Sequence, residues 1–279
     1  MPVRMIALDL DRTTLTRTGH LTQENKRVLE AAIRAGIQIV PASGRALDTF
    51  PKEILELRGL NYIITSNGAA IYQLLGKQPV CLRRFLLKPE MVNKILELTE
   101  KEAITYEAFV NGKAYADPSY IRTPTAFGAV KEAVPYIQRT RTPVEDIRSF
   151  LCRNKERLDS VDLIVGKPQK KQQLMAMLEE ECPEVYLTTS VEQLIEVSDR
   201  RAGKHSAVKF LRERLGIDRE ETVAFGDGDN DAEMLADAGT GIAVANASLN
   251  CMEAADAVTL SCDEDGVAYG IREILGLSL

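Results

Sequence analysis

Strand-like and helix-like stretches alternate at both ends of this 279-residue chain, and that alternation restricts the fold more than any other feature. Apolar runs over residues 5–8, 37–41 and 62–66 read as strands, with a helix over 22–35 between the first two. Thr22 suits the N-cap of that helix, Val28, Leu29, Ala32 and Ile33 share one face, and Gly36 closes it. The pattern resumes with helices over 204–215, 231–238, 249–255 and 267–275, alternating with strands over 222–225, 241–245 and 257–260. Short strands joined by helices build parallel sheets, so both ends of the chain are expected to form one doubly wound, Rossmann-like α/β core.

The middle of the chain has a different character. Residues 106–110 and 113–116 flank Asn111-Gly112, a pair that suits the tight turn of a β-hairpin. Helices are predicted over 89–101 and 170–181, and strands over 161–165 and 185–189, while Pro124, Pro135 and Pro143 interrupt the pattern over 119–154. The expected organisation is a core of residues 1–82 plus 194–279, with an α+β domain inserted over 83–193.

Acidic residues sit where two of the predicted core strands end. Asp9 and Asp11 follow the apolar run 5–8; if the strand continued, residues i and i+2 would point to one side and the two carboxylates would project together. Near the other end, the apolar 222–225 run leads into Gly226-Asp227-Gly228-Asp229-Asn230-Asp231. Asn230 or Asp231 could serve simply to cap the helix that follows. Four polar residues within five positions after a buried strand ask for more than a cap. Asp9, Asp11 and Asp227 together would form an all-oxygen site suited to a hard divalent cation, with Mg²⁺ the natural candidate.

Composition narrows the chemistry further. A net charge of −6, with 45% hydrophobic and 27% charged residues, fits a globular protein and argues against nucleic acid or an anionic membrane as the main partner. No apolar stretch approaches about 18 residues and Met1 stands directly before a strand, so neither a membrane span nor a signal peptide is expected, and a cytoplasmic location is the default. Five cysteines at wide spacing form no zinc or disulfide pattern, and with only two histidines the chemistry falls to carboxylates, hydroxyls and lysine.

Four motifs in order give the chain a family likeness: Asp9-Leu10-Asp11-x-Thr13, Ser43-Gly44-Arg45 after the second strand, Lys204, and Gly226-Asp227-x-x-Asn230-Asp231. The chain resembles the haloacid dehalogenase (HAD) superfamily of phosphatases, and within it the Cof-type hydrolases. The roughly 160 residues between Ser43 and Lys204 match the position of a C2 cap in that superfamily, of the C2B kind. The resemblance implies a phosphomonoester hydrolase, with a sugar phosphate or similar small metabolite as substrate.

The same resemblance implies the roles of single residues. Asp9 would be the nucleophile that forms an aspartyl-phosphate, and Asp11 the general acid and base. Ser43, Gly44, Lys204 and Asn230 would hold the phosphoryl group, with Arg45 either assisting or pairing with an acid. Mg²⁺ would be held by Asp9, the main-chain carbonyl of Asp11 and Asp227, with Asp231 binding ligand waters. Two positions depart from the family pattern: Arg12 stands where glycine is usual, and is expected to point outward rather than contact phosphate, and Thr14 stands where leucine is usual. His205 replaces the small residue that often follows the motif lysine. A phosphosugar mutase is the alternative, and a non-catalytic phosphate sensor a more distant one.

Overall fold

The computed structural model describes residues 2–75 and 78–277. Contacts divide the chain into two compact units, one of Met1–Gly44, Phe50–Arg83 and Gly203–Leu279, the other of Arg45–Thr49 and Arg84–Ala202.

The first unit is built on a parallel sheet. Its strands run, from one edge, Ala257–Val258, Thr240–Ala243, Thr222–Gly226, Met5–Leu8 and Gln38–Pro41, every neighbouring pair parallel. The first strand is therefore central: the N-terminal segment steps outward on one side of it and the C-terminal segment on the other. Open α/β sheets bind ligands at such a reversal, beyond the carboxyl ends of the strands, which here means beyond Leu8 and Gly226. A bridge from Ala42 to Ile64 ties the sheet to a second one of Tyr62–Thr65, Ala70–Leu75 and Gln78–Arg84, whose first two strands are antiparallel.

Alternation along each strand explains why the sheet is covered on both sides. Met5, Ala7, Val40, Ala224 and Ala243 pack against Val208, Leu211, Leu235 and Cys251 from the C-terminal helices. Ile6, Leu8, Val223 and Phe225 are buried as well, and the Phe225 ring lies so close to Gly270 that a Cβ there would come within 2.6 Å of it. The helix Gln23–Arg34 begins as expected, with Thr22 accepting the backbone N–H of Asn25 at 3.1 Å.

The second unit carries a six-stranded sheet in the order Val185–Thr188, Leu194–Asp199, Leu158–Ile164, Thr105–Val110, Lys113–Ala116 and Thr142–Pro143. The pairs are antiparallel except the last. Asn111 and Gly112 turn the hairpin with φ of 51° and 75°, as a two-residue turn of this kind requires. Leu194–Asp199, placed in the core by its sequence position, pairs instead with both Leu158–Ile164 and Val185–Thr188. The later boundary thus lies at Ala202/Gly203 rather than at 193.

Proline starts helices here more than it breaks them. Pro118, Pro135 and Pro168 each occupy the first turn of a helix, where the missing N–H costs nothing. The helices Pro89–Leu98, Ile147–Asn154 and Pro168–Glu181 cover one face of the sheet through Tyr106, Ala108, Val161, Leu163 and Val197. The opposite face carries Glu107, Asp162 and Glu196 in cross-strand register, all buried. Like charges directly opposite destabilise a sheet, and a bidentate pair from Arg141 to Glu107, at 2.6 and 2.7 Å, offsets part of that. Among the described residues no helix is long and apolar enough to cross a membrane.

Candidate active site

Asp9 is the first residue beyond the central strand, and its N–H donates to the Phe225 carbonyl at 3.0 Å, so it stands beside the end of the neighbouring strand. Asp227 is the first residue beyond that strand. Lys204 ties Asp9 to a third acid: it opens the helix Lys204–Leu215, is 1% exposed, and its Nζ donates at 2.6 Å to Oδ1 of Asp9 and at 2.6 Å to Oδ1 of Asp231. Carboxylate oxygens of Asp9, Asp227 and Asp231 all lie within 4.8 Å of one another.

Asp231 stands at the start of the helix Ala232–Asp237, yet its side chain makes no cap bond to that helix. Its side chain turns back, and Oδ2 accepts the N–H groups of Asp227 at 3.1 Å and Gly228 at 3.0 Å. The close approach needs glycine at 226, because a Cβ there would sit 2.4 Å from the Asp231 Cβ. Three acids around one buried ammonium leave net negative charge in a poorly solvated place. Burial, then Asp231, push the Asp9 carboxyl well above the usual range despite Lys204. Burial and Asp231 likewise raise Asp227 to about 7, with Arg12 and Lys204 acting the other way. Burial works against the Lys204 charge, but Asp231 and Asp9 outweigh it and hold the ammonium above its ordinary value.

The residues present fit a divalent cation. The donor set is all oxygen, as hard cations prefer, and Oδ2 of Asp9 is buried without a hydrogen-bond partner among the described residues. An orphaned buried carboxylate oxygen is costly unless something positive meets it.

The loop after Asp9 corrects one expectation. The strand ends at Leu8, and Leu10–Thr14 form a tight irregular turn in which Arg12 is left-handed, with φ 63° and ψ 11°. Asp11 is exposed while Asp9 is buried, so the two do not share a strand face. Asp11 is still close enough to raise the Asp9 pKa through its charge. Thr13 donates to Asp227 Oδ1 at 3.1 Å, and Thr14 donates to the Asp9 carbonyl at 2.5 Å. That second bond gives Thr14 a use that leucine could not serve.

Asn67 is the functional-site residue that sequence reasoning missed. Its N–H donates to the Ser43 carbonyl at 3.1 Å, its carbonyl accepts the N–H of Gly203 at 2.9 Å, and its Oδ1 accepts Nδ2 of Asn230 at 3.0 Å. One residue thus fixes the spacing between Ser43, the start of the Lys204 helix and Asn230. The turn is tight: Ser66, Asn67 and Gly68 all have positive φ, and a Cβ on Gly68 would lie 2.2 Å from the Gly203 carbonyl oxygen. Ser-Asn-Gly after an apolar run was the available signal.

The remaining candidates are placed as follows. Ser43 is buried and donates its N–H to Ile64, with Gly44 next to it. Arg45 groups with the second unit, where it donates to the Thr49 carbonyl at 3.1 Å and lies 4.1 Å from the centre of the Tyr136 ring. His205 has Nδ1 3.0 Å from a Glu233 carboxylate oxygen. All five cysteines are free.

Carboxylates at the switch point of a doubly wound sheet, joined by a buried lysine, define a HAD-type hydrolase. Residues 6–271 match the family of haloacid dehalogenase-like hydrolases, and the chain belongs to it. It is similar to Phosphatase YwpJ of Bacillus subtilis (strain 168), with 33% identity covering 98% of this chain and 100% of that one. It is also similar to the 5-amino-6-(5-phospho-D-ribitylamino)uracil phosphatase YcsE of the same organism, at 26% identity over 97% and 95% of the two chains. Among solved structures, a haloacid dehalogenase-like hydrolase from B. subtilis superposes with a TM-score of 0.85 at 27% identity, covering 98% of this chain and 100% of that one.

Proposed function

We propose that this protein is a Mg²⁺-dependent phosphomonoester hydrolase that acts through a phosphorylated Asp9 on a small phosphorylated metabolite, a sugar or sugar-alcohol phosphate. The observation that carries the reading is the Asp9 carboxylate itself: one oxygen is held by Lys204 and the other is buried and uncommitted, amid two further acids. Phosphatases among the relatives, one named for a phosphoribitylamino compound, support the substrate class.

In this reading Asp9 attacks phosphorus, the ester P–O bond breaks, and Asp11 gives the leaving alcohol its proton. Asp11, now a base, takes a proton from the water that hydrolyses the acyl phosphate and frees Asp9. Exposure suits Asp11 to this work, since it must exchange a proton with alcohol and water in turn. Lys204, Ser43 and Asn230 hold the phosphoryl oxygens, Lys204 as a fixed charge and Asn230 oriented by Asn67. Asp9 and Asp227 side chains with the Asp11 carbonyl would hold the cation, and Asp231 would order its waters. When bound, the cation neutralises charge between carboxylate and phosphate dianion. We assign the chemistry to the first unit and selection of the leaving group to the second, as a cap.

The test is release of free phosphate from a panel of phosphomonoesters by chelated protein, with and without Mg²⁺, with sugar phosphate products examined for isomerisation. Turnover undiminished by excess chelator would exclude the metal, and an isomerised sugar phosphate without free phosphate would make the protein a mutase.

Asp11→Asn should lower turnover by about 10²- to 10⁴-fold, the usual worth of general acid-base help, while Mg²⁺ binding measured by calorimetry stays near the parent value. An unchanged rate on an alkyl phosphate would leave Asp11 with no part in proton transfer.

The raised carboxyl pKa values also give a pH dependence with a definite sign. A buried acid whose folded pKa lies above its unfolded value opposes folding increasingly as pH rises from the unfolded value, about 4, to its folded one, about 7 for Asp227. Metal binding requires the ionised form, so protons compete with Mg²⁺ below that pH. Apparent Mg²⁺ affinity should therefore climb between about pH 5.5 and 7.5, on the order of tenfold per pH unit for each proton displaced, and then level off. An affinity flat across this range, measured by calorimetric titration, would show that no carboxyl is deprotonated on binding.

A further inference from the structure

Arg12 sits in the turn that follows Asp9, in a left-handed conformation that glycine adopts freely and a residue with a Cβ does not. The conformation is fixed from outside the turn: Nδ2 of Asn246 donates to the Arg12 carbonyl at 2.9 Å, and Oδ1 of Asn246 accepts the N–H of Cys262 at 2.8 Å. Glycine would serve this turn better than arginine does, so the side chain calls for an explanation of its own. Its Nε lies 3.9 Å from Oδ2 of Asp227, on the side of that carboxylate opposite the Thr13 hydroxyl bound to Oδ1. The Arg12 side chain is 48% exposed, whereas that of Asp227 is 11% exposed.

We propose that Arg12 is a built-in competitor of the divalent cation: it pairs with Asp227 in the metal-free site and weakens the site's affinity for metal. The inference rests on the reading of Asp9 and Asp227 as metal ligands. Oδ2 of Asp227 can direct its charge to a guanidinium or to a metal, and a positive charge a few ångströms from a divalent cation repels it. Lys204 is no substitute in this role, because it is buried and its two hydrogen bonds go to Asp9 and Asp231. Arg12 lies at the wet edge of the site, so its effect is moderate and sensitive to salt.

The experiment is calorimetric titration of chelated full-length protein with Mg²⁺, repeated with Mn²⁺. Arg12→Gln and Arg12→Gly should each bind about three- to tenfold tighter than the parent at low salt, and the gap should shrink at about 0.3 M salt. Arg12→Lys, which keeps the charge, should stay within about twofold of the parent. Affinity unchanged or weakened in Arg12→Gln overturns the proposal. So does tightening in Arg12→Gly alone, which would point to relief of backbone strain, or equal tightening in Arg12→Lys, which would exclude charge as the cause. Asp227→Asn separates the two levels of the argument: if it binds as the parent does, the metal-site reading itself fails. If it loses binding while Arg12→Gln is unchanged, only the role of Arg12 fails.

Discussion

Asp9→Asn is expected to lower phosphatase turnover by about 10⁴-fold or more, to the limit of detection, because an amide oxygen neither attacks phosphorus nor leaves as a carboxylate when the intermediate is hydrolysed. The substitution is close to isosteric, and an amide oxygen can still accept from Lys204 in place of Oδ1. The fold should therefore survive, and a melting curve close to the parent's is part of the expectation. Loss of activity together with loss of folding would say nothing about nucleophilic attack, so the two measurements belong together. A folded Asp9→Asn protein with more than a few per cent of parent turnover would remove Asp9 from the chemistry.

Lys204→Met should have the largest effect on stability. The ammonium is the buried cation that bonds Asp9 and Asp231, and Asp227 stands beside them. Removing one partner of a buried ionic cluster leaves uncompensated charge, with a typical cost of about 3–5 kcal/mol. Methionine keeps most of the volume, so the loss is electrostatic rather than a cavity. In chelator the deficit should widen as pH rises through about 7, where Asp227 ionises beside a site that has lost the ammonium. Added Mg²⁺ should recover part of the lost stability by supplying positive charge to the same oxygens. Turnover should fall by about 10²-fold or more even where the protein is folded. Equal melting temperatures for parent and Lys204→Met in chelator at pH 8 would show that the cluster is not ionised in the way described.

Among the elements, those with strong local signals were legible in the sequence. The helix after Thr22 had its cap, its apolar face and its terminal Gly36, and the Asn111-Gly112 hairpin had a pair strongly favoured in two-residue turns. Asp9, Asp227 and Lys204 were legible because charge directly after an apolar strand or at the first turn of a helix is costly, and so marks a position. Pro124 and Pro135, read as interruptions, misled for a physical reason: proline breaks a helix interior but is welcome in its first turn, and periodicity alone does not say which position it occupies.

What the amino-acid sequence determined by itself is therefore the kind of core, a parallel sheet with acids at its strand ends, since burial pattern and turn chemistry are properties of neighbouring residues. Tertiary structure alone decided which distant segments meet. Leu194–Asp199 has the pattern of a strand wherever it pairs, and only its register with Leu158–Ile164 and Val185–Thr188 removes it from the core. Asn67 looks like an ordinary turn residue until its three hydrogen bonds to Ser43, Gly203 and Asn230 are seen, across separations no local periodicity spans. The same holds for Arg12, whose exposed side chain meets Asp227 only because the turn after Asp9 is left-handed and the two central strands lie side by side.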